Sequence, residues 1–290
     1  MTAPTPLALI IGSLHYDIMV ETDHLPRLDE TAVGTRWFPK FGGKGGNQAV
    51  AARPSRMVGA VGADEFGTFL RAHLQEAGVD HSHVATLPDA ASGMSVAIMN
   101  RDGDYAATIV SGANLAIDPD SFSAAGVWQD VAILVLQNEV SEAVNLAAAR
   151  AAKARNIPVL LNAAPARALS RAFSDLVDIL VVNAVEAEMF GTPPVQDLAS
   201  AKAAAAQLAA QFPAVVVTAG AQGLGVARDP QKATALPAIK VNAVSSHGAG
   251  DCFTGALANA LIGGAALEQA CQTAAQAAAN HVAGHTSPKA

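Results

Sequence analysis

Val131-Ala132-Ile133-Leu134-Val135-Leu136-Gln137-Asn138-Glu139 is the stretch that decides the fold. An apolar run without alternation reads as a strand buried on both faces, and the polar triplet marks where the chain leaves the sheet. Ser141 then caps a helical stretch reaching Arg155, and Ile157-Pro158-Val159-Leu160-Leu161 is the next apolar strand. Strand, helix and strand at this spacing form the repeating unit of a parallel sheet.

The alternation continues outward in both directions. Leu7 to Ile11, Arg56 to Gly62, Leu176 to Val182, Ala214 to Thr218 and Ile239 to Val244 read as further strands. Phe66, Phe69, Leu70, His73, Leu74 and Ala77 fall at helical spacing and stop at Gly78; Leu198 to Gln211 and Cys252 to Leu261 read as helices as well. The expectation is an α/β protein, a doubly wound mostly parallel sheet flanked by helices, in a single domain over 1–290. Two regions break the pattern. Ile18 to Glu21 and Thr31 to Phe38, then Met94 to Met99 and Tyr105 to Val110 around the turn Asn100 to Asp104, are short alternating pieces. They predict a small separate sheet, a lid formed by roughly 14–41 and 92–111, whose exposed edges and apolar alternation predict pairing with a second copy into a homodimer.

Composition narrows the function. The chain of 290 residues is 51% apolar, enough for a large core, and its formal charge of −7 with no Lys/Arg cluster argues against nucleic acid. The apolar run at Leu7 to Ile11 is too short to span a bilayer and follows no basic region, so no membrane partner is expected. Cys252 and Cys271 lack metal-ligand spacing and fit buried thiols in a reducing cytoplasm. A small molecule is the expected partner.

The chemistry gathers in two Gly-rich turns and at strand ends. Ser245-Ser246-His247-Gly248-Ala249-Gly250-Asp251 opens a helix and presents free N–H groups, an anion site beside a carboxylate able to take a proton from a hydroxyl. A capping role for Asp251 fits these residues equally. Phe41-Gly42-Gly43-Lys44-Gly45-Gly46-Asn47-Gln48 is neither a Walker A loop nor a dinucleotide fingerprint; its glycines predict backbone close to a ligand, with Lys44 and Asn47 as donors. Asp17 follows the first strand and can grip a polyol or cap a loop. Gln137-Asn138-Glu139, Asn162, Asn183 with Glu186 and Glu188, and Thr218 to Gly223 all follow apolar strands, so a parallel sheet brings them to one rim. Glu186 there can serve a Mg²⁺ water shell or the helix dipole.

Together these motifs resemble the ribokinase-like sugar kinases, the PfkB carbohydrate kinase family. Gly42 to Val50 is similar to the family's first signature and His247-Gly248-Ala249-Gly250-Asp251 to the core of its second. Gly12-Ser13-x-x-x-Asp17, Asn162-x-x-Pro165, Asn183-x-x-Glu186 and Thr218-x-Gly220-x-x-Gly223 match subsidiary motifs in order, so the resemblance spans nearly the whole chain. It implies transfer of the γ-phosphoryl of ATP to a sugar hydroxyl, with Mg²⁺. It further implies that Asp251 is the base, with the N–H groups of Gly248, Ala249 and Gly250 stabilising the transferring group. Asp17, Gly42, Gly43, Lys44, Asn47 and Glu139 would hold the sugar; Asn183, Thr218, Gly220 and Gly223 the nucleotide; and Glu186 the Mg²⁺ through water. D-ribose is the leading substrate by resemblance, a nucleoside (pseudouridine or adenosine) the runner-up, and a catalytically weak sugar- or nucleotide-binding homologue the third reading. Two departures stand out. Ser245-Ser246 replaces the family's Asp-Thr, removing a carboxylate near a monovalent-cation site, so K⁺ is only weakly implied, with Ser245 as its remaining side-chain candidate. His15 replaces an Asn two residues before Asp17, and Tyr16 adds bulk there.

Overall fold

Every apolar run but one becomes a strand. A computed structural model describes residues 5–101 and 105–284; part of the expected turn at Asn100 to Asp104 lies outside the described residues. Numbered along the chain, the strands of the main sheet are β1 (Leu7–Ile11), β4 (Ser55–Gly62), β5 (Asp80–Leu87), β8 (Val131–Gln137), β9 (Val159–Asn162), β10 (Ile179–Asn183), β11 (Val215–Thr218), β12 (Gly223–Ala227) and β13 (Thr234–Pro237). They lie in the order β13-β12-β11-β10-β9-β8-β1-β4-β5. All pairs from β10–β11 to β4–β5 are parallel, and β12 and β13 add an antiparallel edge.

Alternation along β1 shows why both faces need helices. Leu9 and Ile11 join one core with Val144 and Ala148 of α3 (Glu142–Lys153) and Ala201 and Leu208 of α6 (Leu198–Leu208). Ala8 and Ile10 join the other, with Ala49 of α1 (Lys44–Ala51), Leu70 of α2 (Glu65–Glu76), Leu257 of α7 (Ala249–Ile262) and Ala274 of α8 (Leu267–Val282). Leu9 and Ile10 are fully buried, and truncating either to Ala would cost about 2–5 kcal/mol. Ser141 caps α3 as its sequence predicts, accepting the Val144 N–H at 3.3 Å. Among the described residues no helix is long and apolar enough to cross a membrane.

The departing segments pair apart from the main sheet. β2 (His15–Thr22), β3 (Gly34–Gly42), β6 (Met94–Met99) and β7 (Tyr105–Val110) form a second sheet in the order β3-β2-β6-β7.

The exception is Ile239 to Val244, expected as a strand and irregular in the structure. The hairpin β12–β13 already extends the sheet beyond β11, so this segment has no place beside it. Its apolar residues stay outside, Val244 being 76% exposed, and it runs instead to α8, where the Val244 N–H donates to the Val282 carbonyl at 2.8 Å.

Candidate active site

The chain passes from β1 to β4 and β5 on one side and returns to β8 on the other, so the strand order switches direction between β1 and β8. Crevices at such points lie outside the carboxyl ends of the strands. Gly12-Ser13 leaves β1 there and Asn138-Glu139 leaves β8. The Ser13 hydroxyl donates to Glu139 Oε2, and the Lys44 main-chain N–H donates to the same oxygen at 2.8 Å. Glu139 thus ties together the ends of two strands and the start of α1.

Gly43 and Gly45, before and within α1, lie against the chain's own backbone. Gly43 has φ 86°, and a Cβ on it would stand 2.8 Å from Ser13 O and His15 N; one on Gly45 would stand 2.6 Å from Ser13 N. These glycines admit the chain's own backbone, 12–15. Gly42 is closer to the chemistry, since its Cβ would fall 1.9 Å from Asp17 Oδ2.

Asp251 stands in the first turn of α7, preceded by left-handed Gly248 (φ 81°) and with no side chain capping the helix. The Ala249 N–H donates to the Ser246 carbonyl at 3.2 Å, so of the three expected amides Ala249 is already engaged. Gly250 faces open space, with no heavy atom within 4 Å of where a Cβ would be, and its first-turn N–H has no helical acceptor. The carboxylate points the other way, into the protein. α7 lies directly on α1 because Gly255 lacks a side chain: a Cβ there would be 2.6 Å from Gln48 O. This contact delivers both oxygens of Asp251 to α1, Oδ2 accepting from Asn47 Nδ2 at 3.2 Å and Oδ1 from Gln48 Nε2 at 3.0 Å. Burial raises the Asp251 pKa; Lys44, Gln48 and Asn47 oppose this, and Glu139 adds to it. A carboxylate kept partly basic beside a positive helix end can accept a proton from an alcohol.

Asp17 comes from the second sheet. It is 6% exposed, and its Oδ1 accepts from Ser95 Oγ, across the β2–β6 pair, at 2.6 Å. Burial raises its pKa, against the Ser95 hydrogen bond and the neighbouring His15 and His247. His247 is pushed the opposite way, by burial and then by Lys40. Tyr16 does not crowd this pocket as expected: strand alternation turns it to the other face, where it stacks on Phe66 with centroids 4.1 Å apart. Beside Glu139 and His15 opens a cavity of about 330 Å³, walled by Ile109, Leu115, Val140 and Arg167. A second cavity of about 330 Å³, between Lys153, Asn156 and Asp178 before the start of β9, touches none of these groups.

The remaining predicted residues sit further along the rim. Gln137 pairs in register with Asn162, and Asn183 with Thr218. Asn183 and Glu186 form a capping box on α5 (Ala184–Met189), each side chain accepting the other's main-chain N–H at 2.8 Å. Burial raises the Glu186 pKa, with Lys44 opposing and Asp251 adding, which places Glu186 within electrostatic reach of both. Glu188 instead turns away to the Val195 N–H at 3.3 Å. Gly220 has φ 53° and faces open space, whereas Gly223 (φ 114°) is a packing glycine, its Cβ position lying 2.2 Å from the Leu236 carbonyl. The Ser245 hydroxyl accepts the His247 N–H at 3.3 Å. Among the described residues no three His, Cys, Asp or Glu side chains gather to hold a metal. A single acid with one oxygen already capping a helix fits a hydrated Mg²⁺ carried by phosphates and not a protein cage.

Ser95 is the site residue that no motif in the sequence marks, while Ser13, Gln48 and Gln137 stand inside quoted motifs without an assigned role. Their roles are not legible locally, because the partners of Ser13, Ser95 and Gln137 are 78–126 positions away.

Residues 6–287 match the pfkB family carbohydrate kinase. The chain is 35% identical to the ribokinase of Mus musculus over 258 residues, covering 86% of this chain and 80% of that protein. It is 32% identical to the deoxyribokinase of Salmonella typhi over 283 residues, 95% and 92% of the two. The structure of Arabidopsis thaliana ribokinase complexed with ribose and ATP superimposes with a TM-score of 0.87 at 28% identity, over 96% of this chain and 93% of that one. A family match across nearly the whole chain, with relatives of this similarity on the same fold, means that the chain belongs to the pfkB family of carbohydrate kinases.

Proposed function

We propose that the protein is an ATP-dependent sugar kinase of the ribokinase type, converting D-ribose to ribose 5-phosphate. The observation that carries this reading is Asp251: a buried carboxylate with raised pKa, held by Asn47 and Gln48 at a helix start whose Gly250 opens onto free space. In this account Asp17, Gly42, Gly43, Lys44, Asn47 and Glu139 hold the sugar, and Asp251 takes the proton of the attacking hydroxyl. The N–H groups of Gly248 and Gly250, joined by that of Ala249 once it leaves Ser246, stabilise charge on the phosphoryl group. Asn183, Thr218, Gly220 and Gly223 serve the nucleotide. Glu186 would hold Mg²⁺ through water, and the metal bound with ATP would supply charge neutralisation on the phosphates. Ser245 is the only side chain of the Ser245-Ser246 pair assigned to a monovalent cation, so activity is expected without K⁺.

Two other acceptors have support. The deoxyribokinase relative supports 2-deoxyribose. The cavity beside Glu139, with its apolar wall of Ile109, Leu115 and Val140, would take the base of a nucleoside. An ADP-release assay with Mg-ATP against ribose, 2-deoxyribose, hexoses and nucleosides separates these: ribose is expected to give the highest kcat/KM, and no ADP from any of them would overturn the kinase reading. The second sheet is proposed to act as a lid and to pair with a second copy through exposed Trp37, Ile109 and Val110. Sedimentation should then give a dimer at micromolar concentration. A cytoplasmic setting belongs to the same reading and is supported by the free thiols of Cys252 and Cys271.

A further inference from the structure

Behind Asp251 runs a chain of buried amides. Gln48 and Gln137 are both fully buried. Gln137 Nε2 donates to Gln48 Oε1 at 2.8 Å, and Gln48 Nε2 donates to Asp251 Oδ1 and to Asn162 Oδ1, each at 3.0 Å. The Gln137 main-chain carbonyl accepts from Asn145 Nδ2 at 2.8 Å; its side-chain Oε1 has no hydrogen-bond partner among the described residues and lies where a Cβ on Gly12 would stand, 1.9 Å away, so Nε2 is the end turned to Gln48.

The order of donors and acceptors matters. A primary amide has one end that donates and one that accepts, and a 180° flip exchanges them. Gln137 meets Gln48 with a donor, so the atom it meets must be Oε1. The Gln48 NH₂ is then turned toward Asp251 and Asn162, both of which present oxygen. A flipped Gln48 would set its carbonyl oxygen against the carboxylate and its NH₂ against that of Gln137, two unfavourable contacts without water to relieve them.

We infer that Gln137, on β8, is a positioning residue for the base: by fixing the amide of Gln48 it keeps a donor on Asp251 Oδ1, which holds the carboxylate ionised and leaves Oδ2 to the Asn47 side. Gln137 touches no reacting group and acts through Gln48. The other charged and titratable groups around Asp251 are Lys44 of α1, Glu139 after β8, Glu186 of α5 and its neighbour Cys252. Lys44 favours the ionised form and the acids oppose it. The amide donor therefore acts in the same sense as the lysine.

This inference rests on Asp251 being the base, and the test separates the two. The kcat/KM pH profile of the intact protein is measured for wild type, Gln137→Met and Gln48→Met, with thermal unfolding as the check on folding. Methionine keeps the chain length and removes the donor. The acid limb is expected to move up by about 0.5–1 pH unit in both variants, with kcat down about tenfold and the KM for ATP unchanged. Folded variants with lower kcat but a wild-type acid limb would reduce the amides to packing and overturn the inference, as would unchanged activity. If Gln48→Met fails to fold, Gln137→Met decides by the same readings. Loss of activity in Asp251→Asn with no pH shift in either Gln variant sinks the inference alone; full activity in Asp251→Asn sinks the base assignment beneath it.

Discussion

Asn47 and Asp251, 204 positions apart, meet through a hydrogen bond of 3.2 Å from Nδ2 to Oδ2. That bond joins the two Gly-rich stretches and puts an amide on the second oxygen of a buried acid. Replacing Asn47 with Asp would set a second carboxylate against the first, and two acids sharing one site cannot both ionise readily. The Asp251 pKa, already raised by burial, should rise again. Because the base must be ionised to work, kcat/KM should fall by about 100-fold or more at neutral pH and recover on the alkaline side. A pH–rate profile checks this, and an unshifted acid limb would count against the pairing.

Gly250 offers a separation of stability from catalysis. Its Cβ position is empty space at a helix start, so Ala there meets no atom of the protein and removes the entropic penalty of glycine. Gly250→Ala should leave the unfolding free energy unchanged or raise it by about 0.5–1 kcal/mol, while filling the space proposed for the phosphoryl group and lowering kcat by about 100-fold. Thermal unfolding and turnover measured side by side decide it.

Ser95 is expected to matter to the sugar alone. Its hydroxyl is a buried donor to Asp17 Oδ1 at 2.6 Å, and Ser95→Ala leaves that carboxylate one partner short. The KM for sugar should rise about 5- to 30-fold, in line with roughly 1–2 kcal/mol for a charge-assisted bond, and the KM for ATP should hold. Equal rises in both constants would move Asp17 out of the sugar site.

Acid stability has its own sentinel away from the rim. Arg56 Nε donates to Asp80 Oδ2 at 2.6 Å, and Ser82 donates to Oδ1 through both its hydroxyl and its main-chain N–H. Against the opposing effect of burial, these hold the Asp80 pKa down at about 2, from 3.8. A depressed folded-state pKa stabilises above the unfolded value and is lost as pH falls, here between about 4 and about 2. Wild type should therefore lose more stability over that interval than Asp80→Asn, as followed by urea unfolding at each pH.

The main architecture was legible because a parallel strand covered on both faces is apolar along its length, and Val131 to Leu136 and Leu7 to Ile11 are runs of strand length that end in polar or Gly residues. The second sheet was legible from its alternation. Ile239 to Val244 misled for a physical reason: apolar residues two or three apart satisfy the strand pattern, yet whether a sheet edge is vacant depends on β12 and β13, which are short and Gly- or Pro-bearing. The acids and the Gly-rich turns of the site announce themselves, since charge and glycine are conspicuous. The roles of Gln48 and Gln137 do not, because an amide shows what it does only when its partner, 89 or 203 positions away, is known. The glycines of 43–46 taught the converse: their spacing indicates close approach without saying whether ligand or backbone approaches.

The most direct measurement is made on Asp251→Asn, in ADP release with saturating Mg-ATP and ribose alongside calorimetric binding of the sugar. Asn keeps the volume and removes the proton acceptor, so turnover should drop by about a thousandfold or more while the sugar Kd stays within about threefold. Turnover within about tenfold of wild type, with the sugar still bound, would contradict the assignment of this carboxylate as the base.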